Sequence, residues 1–151
     1  MSEVKRIQDQ LRRSFEGPAW HGPSIKELLA GVIAEQATAK PLAEAHSIWE
    51  IVLHIAAWEE AALRRLAGDR AELSTEEDWP PVPDTSEAAW RDTLELMEQN
   101  HLRLRDALAG LDDSRLPEPV VDGMSSVYGT LHGVIQHNLY HAGQIALLKR
   151  A

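Results

Sequence analysis

The chain has 151 residues, 44% hydrophobic and 26% charged, and a formal net charge of −9. This length and balance predict one globular domain spanning residues 1–151, and no apolar run approaches the roughly 20 residues that a membrane span requires. An acidic chain whose only basic cluster lies near Lys5 and Arg12 is not expected to bind nucleic acid.

The first residues, MSEVKRIQDQ, carry charges where a secretory signal has an apolar centre, so the sequence predicts a cytoplasmic protein. The chain has no cysteine. Disulfides and thiolate chemistry of the protein's own are therefore excluded, and any metal ligands must be histidine, carboxylate or backbone oxygen.

The N-terminal part of the chain predicts two helices. The first covers 3–16 and ends at Gly17-Pro18, a pair that cannot extend a helix. Ser24 and Glu27 then have the spacing of a capping box, in which each side chain bonds the other residue's backbone amide. They open a short helix that is predicted to end near Ile33.

The next stretch, 34–43, contains a proline and is predicted to be a loop. A long helix follows at 44–67 and ends before Gly68. The acidic segment 69–85 contains three prolines and is predicted to be an irregular connection.

The C-terminal half predicts two more long helices. Asp84 and Glu87 have capping-box spacing at the start of a helix over 86–109. Residues 111–126 form a loop with two prolines, and a final helix covers 127–149. Four long helices joined by loops predict an all-α fold, a four-helix bundle.

The helix over 86–109 has the clearest amphipathic pattern. Its apolar side chains recur at helical spacing and form one stripe: Trp90, Leu94, Met97, Leu104 and Leu108. His101 lies in the same stripe, which favours a hydrogen-bonded core histidine over a metal ligand.

Among the seven histidines, His137 and His141 are the most informative pair. Residues four apart on a helix share one face, with Cβ atoms about 5–6 Å apart, so both imidazoles can reach one zinc ion at about 2.0–2.1 Å. Alone, this spacing also occurs in histidine pairs that bind no metal.

A third ligand is expected from another helix. At about 100° per residue, His137 and His141 fall at one edge of the apolar face of their helix, and His54 falls at the corresponding edge of the 44–67 helix. The three can converge over a solvent-open groove between helices. Three neutral imidazoles leave coordination positions free, as in catalytic sites, and suit zinc, nickel or iron without selecting among them.

Two stretches carry a recognisable family pattern: WEIVLHIAAWE at 49–59 and HNLYHAGQI at 137–145. They resemble the signature stretches of the DinB-like superfamily, bacterial four-helix-bundle proteins that include thiol-dependent S-transferases. Residues 17–24, GPAWHGPS, also look like the N-terminal segment of some members. The resemblance implies the same three ligands, His54, His137 and His141, and a bundle that commonly forms a homodimer.

The resemblance also implies a reaction class. Members with an assigned activity transfer a low-molecular-weight thiol, such as bacillithiol, mycothiol or glutathione, to an electrophile. The leading hypothesis is therefore a metal-dependent thiol S-transferase, and a hydrolase is a close second because a metal can lower the pKa of bound water to about 7. Two non-catalytic hypotheses stand beside them: a metal-binding stress or dimerisation protein, and a plain interaction bundle.

Two polar residues are candidates for a catalytic role beside the metal. Glu59 lies on the core face of its helix and needs a partner, so it is a candidate base or orienting residue, although a structural bridge is the commoner role. Gln144 lies at the same helix edge as His137 and is a candidate substrate contact or a solvent-facing residue.

The sequence also predicts where several other polar and aromatic residues lie. Asn138 is expected to face the core and bond a neighbouring backbone group, and His21 is a weak candidate for the mouth of the site. Three tryptophans are expected in the core or at a dimer interface, one of them as a wall of the pocket: Trp49, Trp58 and Trp90.

Overall fold

The computed structural model describes residues 1–82 and 84–151, and within them the chain forms seven α-helices and no strand. The helices are α1 (Glu3–Glu16), α2 (Ile25–Leu29), α3 (Ala34–Thr38), α4 (Ile48–Leu66), α5 (Thr75–Asp78), α6 (Glu87–Ala109) and α7 (Val127–Leu148). A 3₁₀ turn covers Asp113–Arg115. The four long helices, α1, α4, α6 and α7, are those predicted, and the all-α bundle is confirmed.

Serine caps determine where most helices begin. A serine hydroxyl accepts a hydrogen bond from a first-turn amide at the start of every helix except α3; these serines are Ser2, Ser24, Ser47, Ser74, Ser86 and Ser126. The predicted capping box of Ser24 and Glu27 is confirmed. Because Ser47 caps α4, that helix begins four residues later than the predicted start at 44.

The predicted capping box of Asp84 and Glu87 is wrong. Ser86 caps α6 by accepting from the amide of Ala89, and the Asp84 carboxylate accepts from the amide of Ser86 instead. The Glu87 carboxylate reaches across to α3 and accepts from the backbone amide of Ala34, at 2.7 Å. A side chain expected to cap its own helix therefore caps a neighbouring one.

Two segments predicted as loops contain short helices. Within 34–43, α3 forms because the amide of Ala34 has a carboxylate acceptor and Ala37 is fully buried. Within 69–85, α5 begins at a capping box that Ser74 and Glu77 form. This second helix places Asp78 and Trp79 beside α4, and both contribute to the site described below.

The described residues form two buried apolar clusters: in one, α4 packs against α2, α3, α6 and the end of α7, and in the other, α1 packs against α6 and α7. Trp49 and Trp90 are fully buried, and their indole N–H groups donate to Thr93 Oγ1 at 3.0 Å and to the Val32 carbonyl oxygen at 2.8 Å. The predicted apolar stripe of α6 faces this core, with Leu94 only partly buried. None of the described helices is long and apolar enough to cross a membrane.

Candidate metal centre

Three histidine side chains from α4 and α7 converge between those helices. The Nε2 atom of His137 lies 2.9 Å from Nε2 of His54 and 3.1 Å from Nε2 of His141. His54 and His141 are buried, at 6% and 4% exposed, and His137 is half-buried. The structure therefore brings together the three histidines that the sequence predicts, with the same ring nitrogen of each facing the others.

The opposite ring nitrogens of two of these histidines bond to oxygen acceptors. Nδ1 of His54 lies 2.6 Å from the carbonyl oxygen of Asp78, and Nδ1 of His141 lies 2.6 Å from Oε1 of Gln144. An amide oxygen only accepts, so each Nδ1 carries the proton and donates it. The Nε2 atoms of these two rings are consequently left with lone pairs that point into the cluster.

Burial keeps the three imidazoles neutral. Burial lowers the pKa of His54 and of His141, and burial together with the electrostatic effect of the neighbouring His141 and His54 rings lowers the pKa of His137 to about 3. The lone pairs of His54 and His141 face Nε2 of His137 at about 3 Å, and a neutral His137 can present its own lone pair toward the same point. The donor set and its tautomers therefore fit a divalent metal ion.

The nitrogen spacing is close to what a metal requires. Ligand atoms at about 2.0–2.1 Å in tetrahedral directions lie roughly 3.3–3.4 Å apart. The observed separations of 2.9 and 3.1 Å are slightly shorter, so a small outward movement of the rings accommodates an ion.

The last residue of α5, Asp78, and the residue after it, Trp79, lie beside the histidine cluster. The Trp79 ring stacks on the His54 ring with centroids 3.7 Å apart and planes 3° apart, and its other face stacks on His46 at 3.6 Å. The Asp78 carboxylate accepts from the indole N–H of Trp58 at 2.7 Å. Asp78 and Trp79 are site residues that the sequence did not predict; the capping-box spacing of Ser74 and Glu77 indicates α5 but not the contact of these residues with His54.

Two surface pockets reach the histidines from different sides. The first, of about 440 Å³, is bounded by His54 and His137 and extends past Trp58 along α4 and α7. The second, of about 510 Å³, reaches His141 beside Trp79 and Gln144. The cluster is thus less open than the predicted groove but remains accessible by two routes.

A comparison with known protein families covers the part of the chain that builds this cluster. The sequence model of the DinB superfamily matches residues 20–145, from the segment before α2 to near the end of α7. The chain belongs to the DinB superfamily. A search of curated proteins and one of solved structures found no match. All three histidines of the cluster lie within the part of this DinB-superfamily chain that matches.

Glu59 lies in the core rather than at either pocket. It is 1% exposed, and its carboxylate accepts from Nδ2 of Asn138 at 2.8 Å and contacts Nδ1 of His101 at 3.1 Å. His101 is thus the hydrogen-bonded core histidine that the sequence predicts. Asn138 faces the core as predicted, but its amide donates to Glu59 and to Ser14 Oγ rather than to a backbone group, because the buried carboxylate is the stronger acceptor.

Of the other site candidates, Gln144 and Trp58 lie at the histidine cluster or its pocket, and His21 does not. Gln144 is half-buried and accepts from His141, so it contacts the cluster directly. Trp58 lines the first pocket, which confirms that one of the three tryptophans forms a wall of the site. His21 is exposed and borders two other pockets that do not include the histidine cluster.

Proposed function

We propose that the protein is a divalent-metal-dependent enzyme that transfers a low-molecular-weight thiol to an electrophile, with His54, His137 and His141 as the metal ligands. The observation that carries this proposal is the convergence of three Nε2 atoms, two of them in rings whose Nδ1 protons are already donated to oxygen. Membership of the DinB superfamily supports the metal, and the resemblance to its S-transferases supports the reaction.

Three protein ligands suit a catalytic site because at least one coordination position stays free for a reactant. A divalent metal held by these histidines would supply Lewis acidity, which lowers the pKa of a thiol and favours the nucleophilic thiolate. All-imidazole ligands suit zinc, nickel or iron. No carboxylate or thiolate joins His54, His137 and His141 among the described residues, and this leaves the site a neutral donor set.

The protein's own residues orient the rings and exclude water. The Asp78 carbonyl and the Gln144 amide hold two imidazoles in the ligating tautomer, and the Trp79 ring covers one face of His54. Glu59 acts through Asn138, the neighbour of His137, and so fixes the position of α7 rather than touching a reactant.

Two pockets that meet at one cluster suit a reaction with two reactants. In the transfer, the thiol sulfur forms a bond to the electrophilic carbon, the bond from that carbon to its leaving group breaks, and the thiol proton and the leaving group pass to solvent. The first pocket reaches His54 and His137, and the second reaches His141, so both reactants can approach the same ion.

The test is S-transfer by protein reconstituted with zinc, nickel or iron(II). Chlorodinitrobenzene serves as the electrophile, and thioether formation is followed by absorbance across a panel of small thiols. We expect metal-dependent turnover in the wild type, loss of turnover in His137→Ala, and retention in His21→Ala, whose imidazole lies outside the cluster. The same panel is then repeated with an epoxide as the electrophile, and absence of turnover with every thiol and metal for both electrophiles would refute the transferase proposal.

A further inference from the structure

The first pocket extends from the histidine cluster to a single arginine. Its walls come mainly from α4 and α7, and among the described residues that line it Arg65 is the only lysine or arginine. Arg65 lies eleven positions after His54, which returns it to nearly the same face of α4 at about 100° per residue. One helix face therefore carries a metal-ligand candidate at one end and a cation at the other.

The guanidinium of Arg65 is held in place. Its Nε donates to the carbonyl oxygen of Arg70 at 3.0 Å, its Nη2 donates to that of Ala71 at 3.2 Å, and its Cζ lies 5.4 Å from the centre of the Trp58 ring. Ala71 has a φ of 45°, a left-handed conformation that is unfavourable for alanine. A strained turn thus presents the backbone oxygens that orient this cation.

Arg65 differs from its neighbours in having no carboxylate partner. Arg64 pairs with Asp69 at 2.9 Å, and Arg70 pairs with Glu72 at 3.2 Å. Arg65 forms no ion pair within 1–82 and 84–151, so its charge remains available. In a chain of net charge −9, a fixed cation that is not neutralised is a favourable place for an anionic ligand.

The opposite wall leaves room for such a ligand. Gly129, Gly133 and His137 follow one another at four-residue steps along α7, and a Cβ added at Gly133 would meet no atom within 4 Å. Glycine inside a helix costs about 1 kcal/mol relative to alanine. The open space beside Gly133 belongs to the first pocket. The first turn of α7 also borders this pocket, and the positive end of the helix dipole there favours an anion.

The distances suit a small molecule that spans the pocket. The centre of the Trp58 ring lies 5.4 Å from Arg65 Cζ and 6.2 Å from the centre of the His137 ring. These two distances add to 11.6 Å, the longest separation that the cation and the His137 ring can have. A thiol of a few carbon atoms can therefore place its sulfur at the histidines and an anionic group at Arg65.

We propose that Arg65 binds a carboxylate of the thiol substrate, so that this pocket selects small carboxylate-bearing thiols over neutral ones. The inference rests on the proposed function, because it assumes that the thiol sulfur lies at the histidine cluster. A single guanidinium with part of its donor fork already used suits a singly charged carboxylate better than a phosphate dianion.

The test compares mercaptohexanoate with mercaptohexanol by isothermal titration into zinc-loaded protein. The two thiols have the same chain and differ in the carboxylate. We expect the wild type to bind the carboxylate thiol roughly tenfold or more tightly, as for a charge-assisted hydrogen bond. Arg65→Gln should abolish this preference and leave the affinity for mercaptohexanol unchanged.

Two further variants control for charge and for folding. Arg64→Gln removes the same charge from the adjacent position, outside the pocket, and should keep the preference. Arg65→Lys keeps the charge and should keep part of the preference even if the turn at Ala71 loosens.

The outcomes separate this inference from the proposed function. Equal binding of the two thiols by the wild type, or a preference that survives Arg65→Gln, would overturn the role of Arg65 while leaving thiol binding intact. Binding of neither thiol would contradict the proposed function itself, and this inference with it.

Discussion

The Nδ1 atom of His54 lies 2.6 Å from the main-chain carbonyl oxygen of Asp78. This nearer acceptor belongs to the backbone at the end of α5, so a side-chain substitution does not remove it; an Asp78 carboxylate oxygen lies farther from the same atom, at 3.2 Å. His141 differs, because its Nδ1 bonds to the Gln144 side chain. The two ligand candidates should therefore respond differently to substitution of their partners.

Replacing the partner of His141 should weaken metal binding. In Gln144→Leu, Nδ1 of His141 loses its acceptor, and loss of such an outer partner typically costs 10–100-fold in metal affinity. Competition with a zinc-binding dye measures the affinity. Gln136→Leu is the matched control, since Gln136 is exposed on the same helix, and it should bind zinc as the wild type does. Equal affinities in the two variants would refute an orienting role for Gln144.

Removing the ring that covers His54 should speed metal release. In Trp79→Ala the face of His54 that stacks at 3.7 Å becomes open to water, so we expect zinc to transfer to a chelator several-fold faster. Stopped-flow mixing with an excess of chelator measures the rate. Trp20→Ala removes a fully exposed tryptophan and should leave the rate unchanged. A rate unaffected by Trp79→Ala would show that the ring does not gate the site.

The metal-free protein should lose stability as the solution is acidified. The pKa of His137 is lowered to about 3 when folded, chiefly by burial, whereas an unfolded histidine titrates near 6.5. Between these values the unfolded chain binds a proton that the folded chain does not. The contribution of His137 is therefore fully present above a pH of about 6.5 and declines as the pH falls toward about 3.

Urea unfolding of metal-free protein at several pH values measures this dependence. Carboxylates such as Asp9, whose pKa is lowered by hydrogen bonds from Arg13 and Arg12, also titrate on acidification. The decline in the stability of the wild type is therefore compared with the decline in two variants. His137→Gln should show a shallower decline than the wild type, and His21→Gln the same decline. Identical curves for His137→Gln and the wild type would contradict the assigned pKa.

The buried carboxylate of Glu59 should be important for stability. Glu59→Ala leaves the Asn138 amide and the His101 ring without their partner in the core, and each unsatisfied buried group costs about 1–3 kcal/mol. We expect a loss of roughly 3 kcal/mol in the free energy of unfolding, measured with urea. Glu60→Ala, at the exposed neighbouring position, should change it by less than about 0.5 kcal/mol. Similar effects of the two substitutions would contradict a structural role for Glu59.

The long helices and the histidine cluster could be predicted from local sequence. Apolar periodicity and serine or glycine at the helix ends locate α1, α4, α6 and α7. His137 and His141 share a helix, so their proximity follows from spacing alone. The position of His54 at the edge of its apolar face was enough to bring it to the same groove.

The surroundings of the cluster depend on packing between distant segments and could not be predicted in the same way. Glu87 has the spacing of a partner for Asp84, yet it caps α3 because the fold brings Ala34 within 2.7 Å. Trp79 lies in a proline-containing segment without periodicity, and only its stacking against His54 shows that it belongs to the site. In the sequence Arg65 is one of several helix-surface arginines, and only the fold shows that Ala71 and Trp58 hold it.

The claim that His54, His137 and His141 bind a divalent metal is tested most directly by elemental analysis of untagged protein, wild type and His137→Ala, purified in parallel. We predict about one equivalent of zinc, nickel or iron per wild-type chain and almost none in the variant, with circular dichroism confirming that both are helical. A wild-type protein that purifies without metal and takes up none on incubation, or a variant that retains a full equivalent, would contradict the account.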